Sequence, residues 1–165
     1  MKRLLLLLVW VSAPAWAQPA LVTKVPVVGT ATAEEPVKRA NLIILHTADS
    51  ANAAYIKMAR VLLAEGYVLD KTDRELGFIN TGYHHTAKLA VEVALRFVVV
   101  PQPMGALIEV RGVSRMPGMN NTIIAGDSPI EFRGMTGSPA LLAWNAMARV
   151  AAAYNASKTS YKRQL

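Results

Sequence analysis

Histidine combines metal binding with proton transfer more readily than any other residue type in this chain, and the sequence holds three. They are His46 and the adjacent pair His84 and His85. Neighbouring residues of a strand point to opposite faces of a sheet, so His84 and His85 are not expected to hold one ion together. One of them could share an ion with His46 and a carboxylate, but the ligand spacing of zinc sites is absent. We therefore predict no metal site and interpret the histidines as surface residues of strands.

Hydroxyl and carboxyl groups could support hydrolysis, but their spacing does not favour it. The sequence has no Gly-x-Ser-x-Gly elbow. Ser138 stands between a glycine and a proline, and a helix N-cap explains that position better than a nucleophile does. Asp70 with Asp73, or Asp73 with Glu75, could form an acid–base pair, but a raised carboxyl pKa requires burial, and residues on a solvated turn explain these carboxylates better. We therefore predict that the chain is not an enzyme.

Several other kinds of chemistry are excluded by residues that the chain lacks. It has no cysteine, which excludes disulfides, thiolate metal sites, cysteine nucleophiles and a lipid-anchored N-terminal cysteine. The glycines at 112, 118 and 126 lack the spacing of a phosphate loop or a dinucleotide fingerprint, so we predict no cofactor. The formal net charge of +7 is typical of a solvated surface, and we predict no nucleic-acid partner.

The most informative pattern is a strict alternation of side chains in two neighbouring segments, Leu89–Val100 and Ala106–Val113. Alternation with a period of two is typical of strands that bury one face. The inward residues of these strands are apolar, among them Phe97 and Ile108. The outward residues mix apolar and charged side chains, although a fully solvated face would be more polar. We therefore predict a partner-binding surface that consists of Arg96, Val98, Val100, Leu107, Glu109, Arg111 and Val113.

The register between these two strands decides how that surface looks. A four-residue turn over Pro101–Met104 would place Arg96 opposite Glu109 and Val98 opposite Leu107. The next register would place Arg96 opposite Arg111, and like charges in that position are destabilising by up to about 1 kcal/mol. We predict the first register. A structure that pairs Arg96 with Arg111 would contradict it, together with the partner-binding surface that depends on it.

The remaining elements are those that must support these strands. Asn41–Thr47 is predicted to be a strand, followed by a helix that Asp49 or Ser50 caps and that ends at Gly66. Further strands are expected at 67–71 and 77–85, and a second helix begins at Ser138, with Trp144 on its apolar stripe. The element order is β-α-β-β-β-β-α, in which hairpins dominate. We therefore predict an α+β fold, a two-layer sandwich of a mainly antiparallel sheet with two helices on one face.

The N-terminus is typical of a secretory signal peptide. Lys2 and Arg3 precede the apolar run Leu4–Val11, and Ala15–Ala17 has the small-x-small pattern of a cleavage site. The run is shorter than the roughly 20 residues that span a bilayer. We therefore expect cleavage after Ala17, a periplasmic or secreted location, no membrane span and no lipid anchor.

The chain is expected to contain one folded domain, because its 165 residues are typical of a single domain. Residues 1–17 are the predicted signal peptide, and 18–40 form a linker or N-terminal arm in which 21–28 could add an edge strand. Residues 41–155 form the domain, and 156–165 are a basic, frayed tail. Within the domain, the irregular region 116–137 contains candidate strands at 121–125 and 129–133.

Two segments of the domain resemble known families. The first comprises Tyr55–Tyr67 and Asp73–Ile79, and it resembles the repeated helix-grip module of BamC, a lipoprotein of outer-membrane assembly. The second comprises Phe132–Pro139 with Trp144 and Met147, and it resembles small uncharacterised exported proteins of Bacteroidota. The resemblance implies a periplasmic or secreted domain of helix-grip type. It implies no catalytic residue.

These observations favour a non-catalytic envelope module that binds a protein partner, or a second copy of itself, through the outer sheet face. The N-terminal arm could instead cover that face. The alternative is a carrier of a small molecule or lipid, with a pocket between helices and sheet lined by Met58, Trp144 and Met147. A hydrolase is the third hypothesis, supported only by export and by hydroxyl-rich loops.

Overall fold

The computed structural model describes residues 33–86, 91–116 and 127–164. The predicted signal peptide and the predicted strands at 21–28 and 121–125 lie outside these residues. The elements of the described part are β1 (Leu42–Thr47), α1 (Ala51–Ala64), β2 (Leu69–Asp73), β3 (Phe78–Thr81), β4 (His84–His85), β5 (Glu92–Gln102), β6 (Gly105–Arg115), β7 (Ser128–Pro129), α2 (Pro139–Ala153) and β8 (Lys158–Lys162).

The eight strands of the described residues form one antiparallel sheet in the order β2-β3-β5-β6-β1-β8, with β4 paired to β5 and β7 paired to β6. Both helices pack on one face of this sheet, where they bury a continuous apolar cluster. The predicted α+β architecture is therefore confirmed. Neither of the two described helices has the length and apolar character needed to cross a membrane.

Local sequence signals determine where the helices begin and end. The Ser50 hydroxyl accepts a hydrogen bond from the Ala53 N–H at the start of α1, and Ser138 caps α2 through the Leu141 N–H in the same way. Pro139 occupies the first turn of α2, where its missing N–H leaves no donor unsatisfied. Gly66 has a φ of +83° and closes α1. These boundaries agree with the sequence predictions.

The core follows the alternation of β5 and β6. The odd residues from Val93 to Val99 and the even residues from Ala106 to Val110 are buried under the helices, as predicted, and Phe97 and Ile108 are fully buried among them. Trp144 on α2 lies in the same cluster, with its ring centroid 5.4 Å from that of Phe132 and 6.0 Å from that of Tyr161. The apolar stripe of α2 is therefore a core element.

The predicted tail, 156–165, is wrong over half of its length, because Lys158–Lys162 forms the edge strand β8. It pairs with β1, and its inward residue Tyr161 packs against Trp144. Ala33 in turn forms an isolated bridge to Tyr161. The hydrophobic pattern does not predict this strand, because its residues, Lys-Thr-Ser-Tyr-Lys, are mostly polar. A strand at the edge of a sheet can tolerate such a composition, since it needs only one buried face.

Two further strand predictions need correction. The segment 77–85 divides into β3 and β4, because Gly82 and Tyr83 leave the ladder between them. Within 129–133 only the first residue is in a strand, and Ile130 instead turns inward and is buried beside Gly112. A Cβ on Gly112 would lie 2.7 Å from Ile130 Cδ1, so the glycine makes room for this packing.

A groove on the outer face of the sheet

The outer sheet face lies opposite the helices and carries the residues that the sequence predicts for partner binding. Pairing across β3, β5 and β6 aligns Asn80, Arg96 and Arg111 in one row and Phe78, Val98 and Glu109 in the next. On the neighbouring strand β1, the outward residues Leu42 and Ile44 are buried, with exposed fractions of 1% and 9%. The exposed part of this face is therefore centred on β5 and β6.

The predicted register is wrong, because Arg96 pairs with Arg111 rather than with Glu109. Val98 consequently lies opposite Glu109, and Val100 lies opposite Leu107. The predicted apolar spot of Val98 and Leu107 beside a neutralised charge pair is therefore absent. The register can therefore no longer support the predicted partner-binding surface, and any binding role of this face must be derived from the groove itself.

The hairpin turn explains the observed register. Both strands continue to the Gln102–Gly105 pair, so only two residues form the loop instead of the predicted four. Gly105 has a φ of +117°, and a Cβ there would lie 2.1 Å from the Thr47 carbonyl oxygen of β1. The tight turn and the neighbouring strand together hold the hairpin in place. Their effect exceeds the roughly 1 kcal/mol that the like-charge pair costs.

An open groove of about 520 Å³ crosses this face. Its floor consists of Ala94, Leu95, Gly112 and Val113 from β5 and β6. Its other lining residues are polar groups of several segments that are distant in sequence, namely Asn41, Asn80, Thr81, Tyr83, Arg96, Arg111, Asp127 and Gln164, together with Pro129. The volume is within the range of ligand-binding clefts.

The groove exists because the β3–β5 ladder is interrupted. Beyond the Asn80–Arg96 pair, the Thr81 hydroxyl accepts the Leu95 N–H in place of a backbone carbonyl, at 2.9 Å. The chain returns to β5 only at His84, which pairs with Val93. The opposite wall is Pro129 of β7, which pairs with Val113. Side-chain capping keeps the buried backbone donor satisfied while leaving space beside β5.

Two guanidinium groups give one end of the groove its positive charge. Arg111 donates from Nη2 to Glu109 Oε2 at 2.7 Å. Arg96 is exposed and makes no ion pair with a residue that the structure describes. Glu109 therefore neutralises only one of these two adjacent arginines. A second cavity, of about 140 Å³, lies between these three residues and Val98.

Tyr83 and Asp127 line the end of the groove nearest β4, and they belong to a larger network of polar side chains. The Tyr83 hydroxyl donates to Asp127 Oδ1, and the Arg115 guanidinium lies 3.7 Å from the Tyr83 ring centroid. Arg115 Nε also donates to Glu92 Oε2 at 2.5 Å, and His85 Nε2 lies 2.9 Å from the other oxygen of Glu92. Burial, together with the hydrogen bond to Asp127, raises the pKa of Tyr83. The hydrogen bond to Glu92 raises the pKa of Arg115, so both groups stay protonated near neutral pH.

The seven residues predicted for partner binding share one face but do not form a single site. Arg96, Arg111 and Val113 line the groove, and Val98 and Glu109 line the smaller cavity beside it. Val100 and Leu107 pair with each other nearer the hairpin turn and line neither of these cavities. No local sequence pattern identifies the polar residues that reach the groove from other segments, namely Asn41, Asn80, Tyr83, Asp127 and Gln164.

The other candidate residues occupy separate places. The His46 Nε2 lies 3.5 Å from the Ser160 hydroxyl, the His84 ring packs on Tyr67 with centroids 4.5 Å apart, and His85 contacts Glu92. Within the described ranges, no three histidine, aspartate or glutamate residues are grouped to hold a metal ion. Ser138 caps α2, and Asp73 Oδ1 accepts the Leu76 N–H of the β2–β3 turn at 2.8 Å, whereas Asp70 and Glu75 are exposed.

The residues expected to line a carrier pocket are packed in the core. Met58 and Met147 are fully buried, and Trp144 has an exposed fraction of 2%. All three belong to the apolar cluster between the helices and the sheet, on the face opposite the groove. None of them lines the groove.

One further polar cluster joins the helices to β1. Tyr154 at the end of α2 is fully buried, and its hydroxyl donates to Asp49 Oδ2 at 2.9 Å. Thr47 also donates to this oxygen, at 3.0 Å, and Lys57 lies 3.5 Å from it. The hydrogen bonds from Tyr154 and Thr47 lower the pKa of Asp49, and burial raises the pKa of Tyr154 to about 12. The cluster links three elements of the fold.

Comparison with known proteins gives no family for this chain. No protein-family model matches it, and no curated protein matches it significantly.

Proposed function

We propose that the protein is a non-catalytic, exported binding module that takes an acidic segment of a partner protein into the groove on its outer sheet face. The observation that carries this proposal is the cross-strand pair Arg96 and Arg111, in which Glu109 pairs with Arg111 and leaves Arg96 without an ion pair to a described residue. An incoming carboxylate would replace the repulsion between the two guanidinium groups with charge-assisted hydrogen bonds.

The form of the groove supports an extended protein segment as the occupant. The cleft is open along the sheet, and its floor is apolar at Ala94 and Val113. A peptide in extended conformation places alternate side chains on one side, so it could direct one set toward the arginines and the other toward solvent. Single-stranded nucleic acid needs accessible aromatic faces for stacking, and Arg115 already covers one face of Tyr83.

The test measures binding of a fluorescein-labelled peptide of alternating glutamate and valine to the purified chain, by fluorescence anisotropy at low ionic strength. The Arg96→Gln and Arg111→Gln variants are each expected to weaken binding about tenfold, because each removes a charge-assisted hydrogen bond donor. Binding should also weaken with added salt. The peptide with glutamine in place of glutamate is expected not to bind.

A matched control removes the same charge elsewhere. Arg60 is exposed on α1, and Arg133 lies shortly after Pro129, which forms one wall of the groove. Neither arginine lines the groove. Their glutamine variants should bind the acidic peptide as the unmodified chain does. Equal weakening by Arg60→Gln and Arg96→Gln would indicate general attraction to a basic protein and would contradict the proposal.

Two other occupants of the groove would give different results. We expect sedimentation of the unmodified chain to show a monomer over a range of concentrations. A dimer that the Arg96→Gln substitution disrupts would mean that a second copy occupies the groove, and it would contradict the proposal. The N-terminal arm is the other candidate. Its described residues, 33–40, follow the edge of β8 and the segment near Phe132 and do not line the groove.

Export is part of the same proposal and has its own test. The basic start, the apolar run and the Ala15–Ala17 pattern support cleavage after Ala17, and the BamC-like resemblance is consistent with an envelope location. Mass spectrometry of the protein recovered from the periplasmic and extracellular fractions of producing cells is expected to show a chain that begins at Gln18. Full-length chain confined to the cytoplasm would contradict export.

A further inference from the structure

The arginine pair of the groove has a carboxylate of the chain itself beside it. Glu109 and Arg111 are two residues apart on β6 and therefore lie on the same face, where Arg111 Nη2 donates to Glu109 Oε2 at 2.7 Å. Val98 lies opposite Glu109, and the cavity of about 140 Å³ lies between these three residues and Arg96. Glu109 therefore lines one side of the space beside the two guanidinium groups.

The charges of this cluster leave one cation uncompensated. Arg96 and Arg111 are both positive, Glu109 is negative, and Arg96 makes no ion pair with a described residue. Asp127 is the other charged residue among the described residues that line the groove, and it lies at the opposite end, where it accepts the Tyr83 hydroxyl. The cluster can therefore neutralise one negative charge of a ligand but not two.

This charge balance favours a carboxylate over a phosphate group. A glutamate or aspartate side chain carries one negative charge, whereas a phosphoserine carries between about 1.5 and 2 at neutral pH. The free energy needed to remove water from an ion rises with the square of its charge, but its attraction to one uncompensated cation rises only in proportion to that charge. Glu109 would also repel the second charge of the phosphate.

We infer that Glu109 makes the groove selective for a carboxylate side chain over a phosphorylated one. Its hydrogen bond holds the Arg111 guanidinium in place, and its charge cancels that of the same guanidinium. The inference rests on the proposed function and adds the chemical class of the acidic group that the partner segment presents.

The test compares two blocked peptides that alternate glutamine and valine and differ only at one central position, which is either glutamate or phosphoserine. Each is titrated into the unmodified chain at about pH 7.5, where the phosphate is a dianion, while the backbone amide NMR signals of Arg96 and Arg111 are followed. Salt at about 0.15 M screens the general attraction to a basic protein. Both signals should shift, and the glutamate peptide should bind about twofold or more tightly than the phosphoserine peptide.

Glu109→Gln removes the negative charge but keeps an oxygen that can accept the hydrogen bond from Arg111. Both peptides should bind this variant more tightly. The phosphoserine peptide should gain more, because the repulsion that is removed grows with the charge of the ligand. We expect the ratio of the two dissociation constants to change about fivefold in favour of the phosphoserine peptide.

Glu131→Gln is the matched control. Glu131 also pairs with an arginine two positions later, with Arg133 Nε 3.7 Å from its Oε2, but it does not line the groove. The ratio of the two dissociation constants should be the same in this variant as in the unmodified chain.

The outcomes separate this inference from the proposed function. A phosphoserine peptide that binds the unmodified chain as tightly as the glutamate peptide or more tightly, or a ratio that Glu109→Gln leaves unchanged, would overturn the inference alone. The absence of shifts at Arg96 and Arg111 with either peptide would overturn the proposed function and this inference with it. The comparison on the unmodified chain does not depend on any variant, and unfolding curves verify that Glu109→Gln is folded under the conditions of the titration.

Discussion

Arg96 lies directly opposite a second arginine, and this pairing lowers the stability of the folded chain. Like charges across neighbouring strands cost up to about 1 kcal/mol, and Glu109 compensates only Arg111. We therefore expect Arg96→Gln to raise the free energy of unfolding by about 0.5 kcal/mol in urea denaturation at low ionic strength. The gain should vanish at high salt, because exposed charges are then screened.

The same substitution at Arg60 on α1 serves as the control and should leave the unfolding free energy nearly unchanged. If Arg96→Gln were destabilising at low salt, the guanidinium pair would not be repulsive, and the reason given for anion binding would fail. A variant that gains stability while losing peptide binding is the combination expected of a functional position.

At the scale of elements, the β5–β6 hairpin depends on Gly105. A residue with a side chain would be strained at a φ of +117°, and its Cβ would meet the Thr47 carbonyl oxygen at 2.1 Å. Gly105→Ala is therefore expected to lower the thermal unfolding midpoint strongly. Gly137→Ala separates the two effects, because Gly137 has a φ of +83° and open space around its Cβ position. That variant should cost only the conformational strain of about 1–2 kcal/mol.

Comparable losses in the two variants would mean that contact with β1 does not restrict the hairpin turn. The register would then need another explanation, such as the packing of inward residues alone. A clearly larger loss for Gly105→Ala would support the role of β1 in placing the Arg96–Arg111 pair.

The edge strand β8 gives a second prediction at this scale. Its pairing with β1 and the contact between Tyr161 and Trp144 make it part of the folded sheet. Hydrogen exchange should show slow amides in Lys158–Lys162, and deletion of residues 158–165 should lower the urea midpoint substantially or prevent folding. Deletion of residue 165 alone is the control and should have little effect. Rapid exchange throughout this segment would restore its interpretation as a frayed tail.

At the scale of the whole molecule, the cluster of Asp49 and Tyr154 links stability to pH. The pKa of Tyr154 is raised to about 12 by burial, from an unfolded value of 10.0, so its contribution is complete below pH 10 and is lost as the pH rises to about 12. The pKa of Asp49 is lowered from 3.8, so its contribution is present above that pH and is lost as the pH falls through the lowered value. Stability should therefore decline at both extremes.

Tyr154→Phe is expected to reduce both declines in a plot of unfolding free energy against pH, because it removes the ionising hydroxyl and the donor to Asp49. Part of the alkaline decline should persist, since burial also raises the pKa of Tyr67 and Tyr83. Tyr55→Phe, at a tyrosine without a hydrogen bond to Asp49, is the control. An unchanged pH profile in Tyr154→Phe would show that the cluster does not link folding to ionisation.

The sequence by itself determined the features that depend on short-range signals. The caps Ser50 and Ser138, the helix stop at Gly66 and the inward faces of β5 and β6 all follow from residues within a few positions of each other. Hydrogen bonds at helix ends and the two-residue period of a strand are local, so the chain carries their information continuously. These features are sufficient for the α+β class and for the buried position of Trp144.

Only the tertiary structure decided the register of the hairpin and the site that results from it. Both candidate registers keep the same residues inward, so the hydrophobic pattern could not distinguish them. The choice depended on a two-residue turn and on the approach of β1 to Gly105. In the same way, Tyr83 and Asp127 are 44 residues apart in the sequence and form a hydrogen bond only in the folded chain. The polar segment of β8 is a strand because it pairs with β1. Such contacts are properties of the assembled sheet, because each one joins two segments that are distant in the sequence and that come together only when the chain folds.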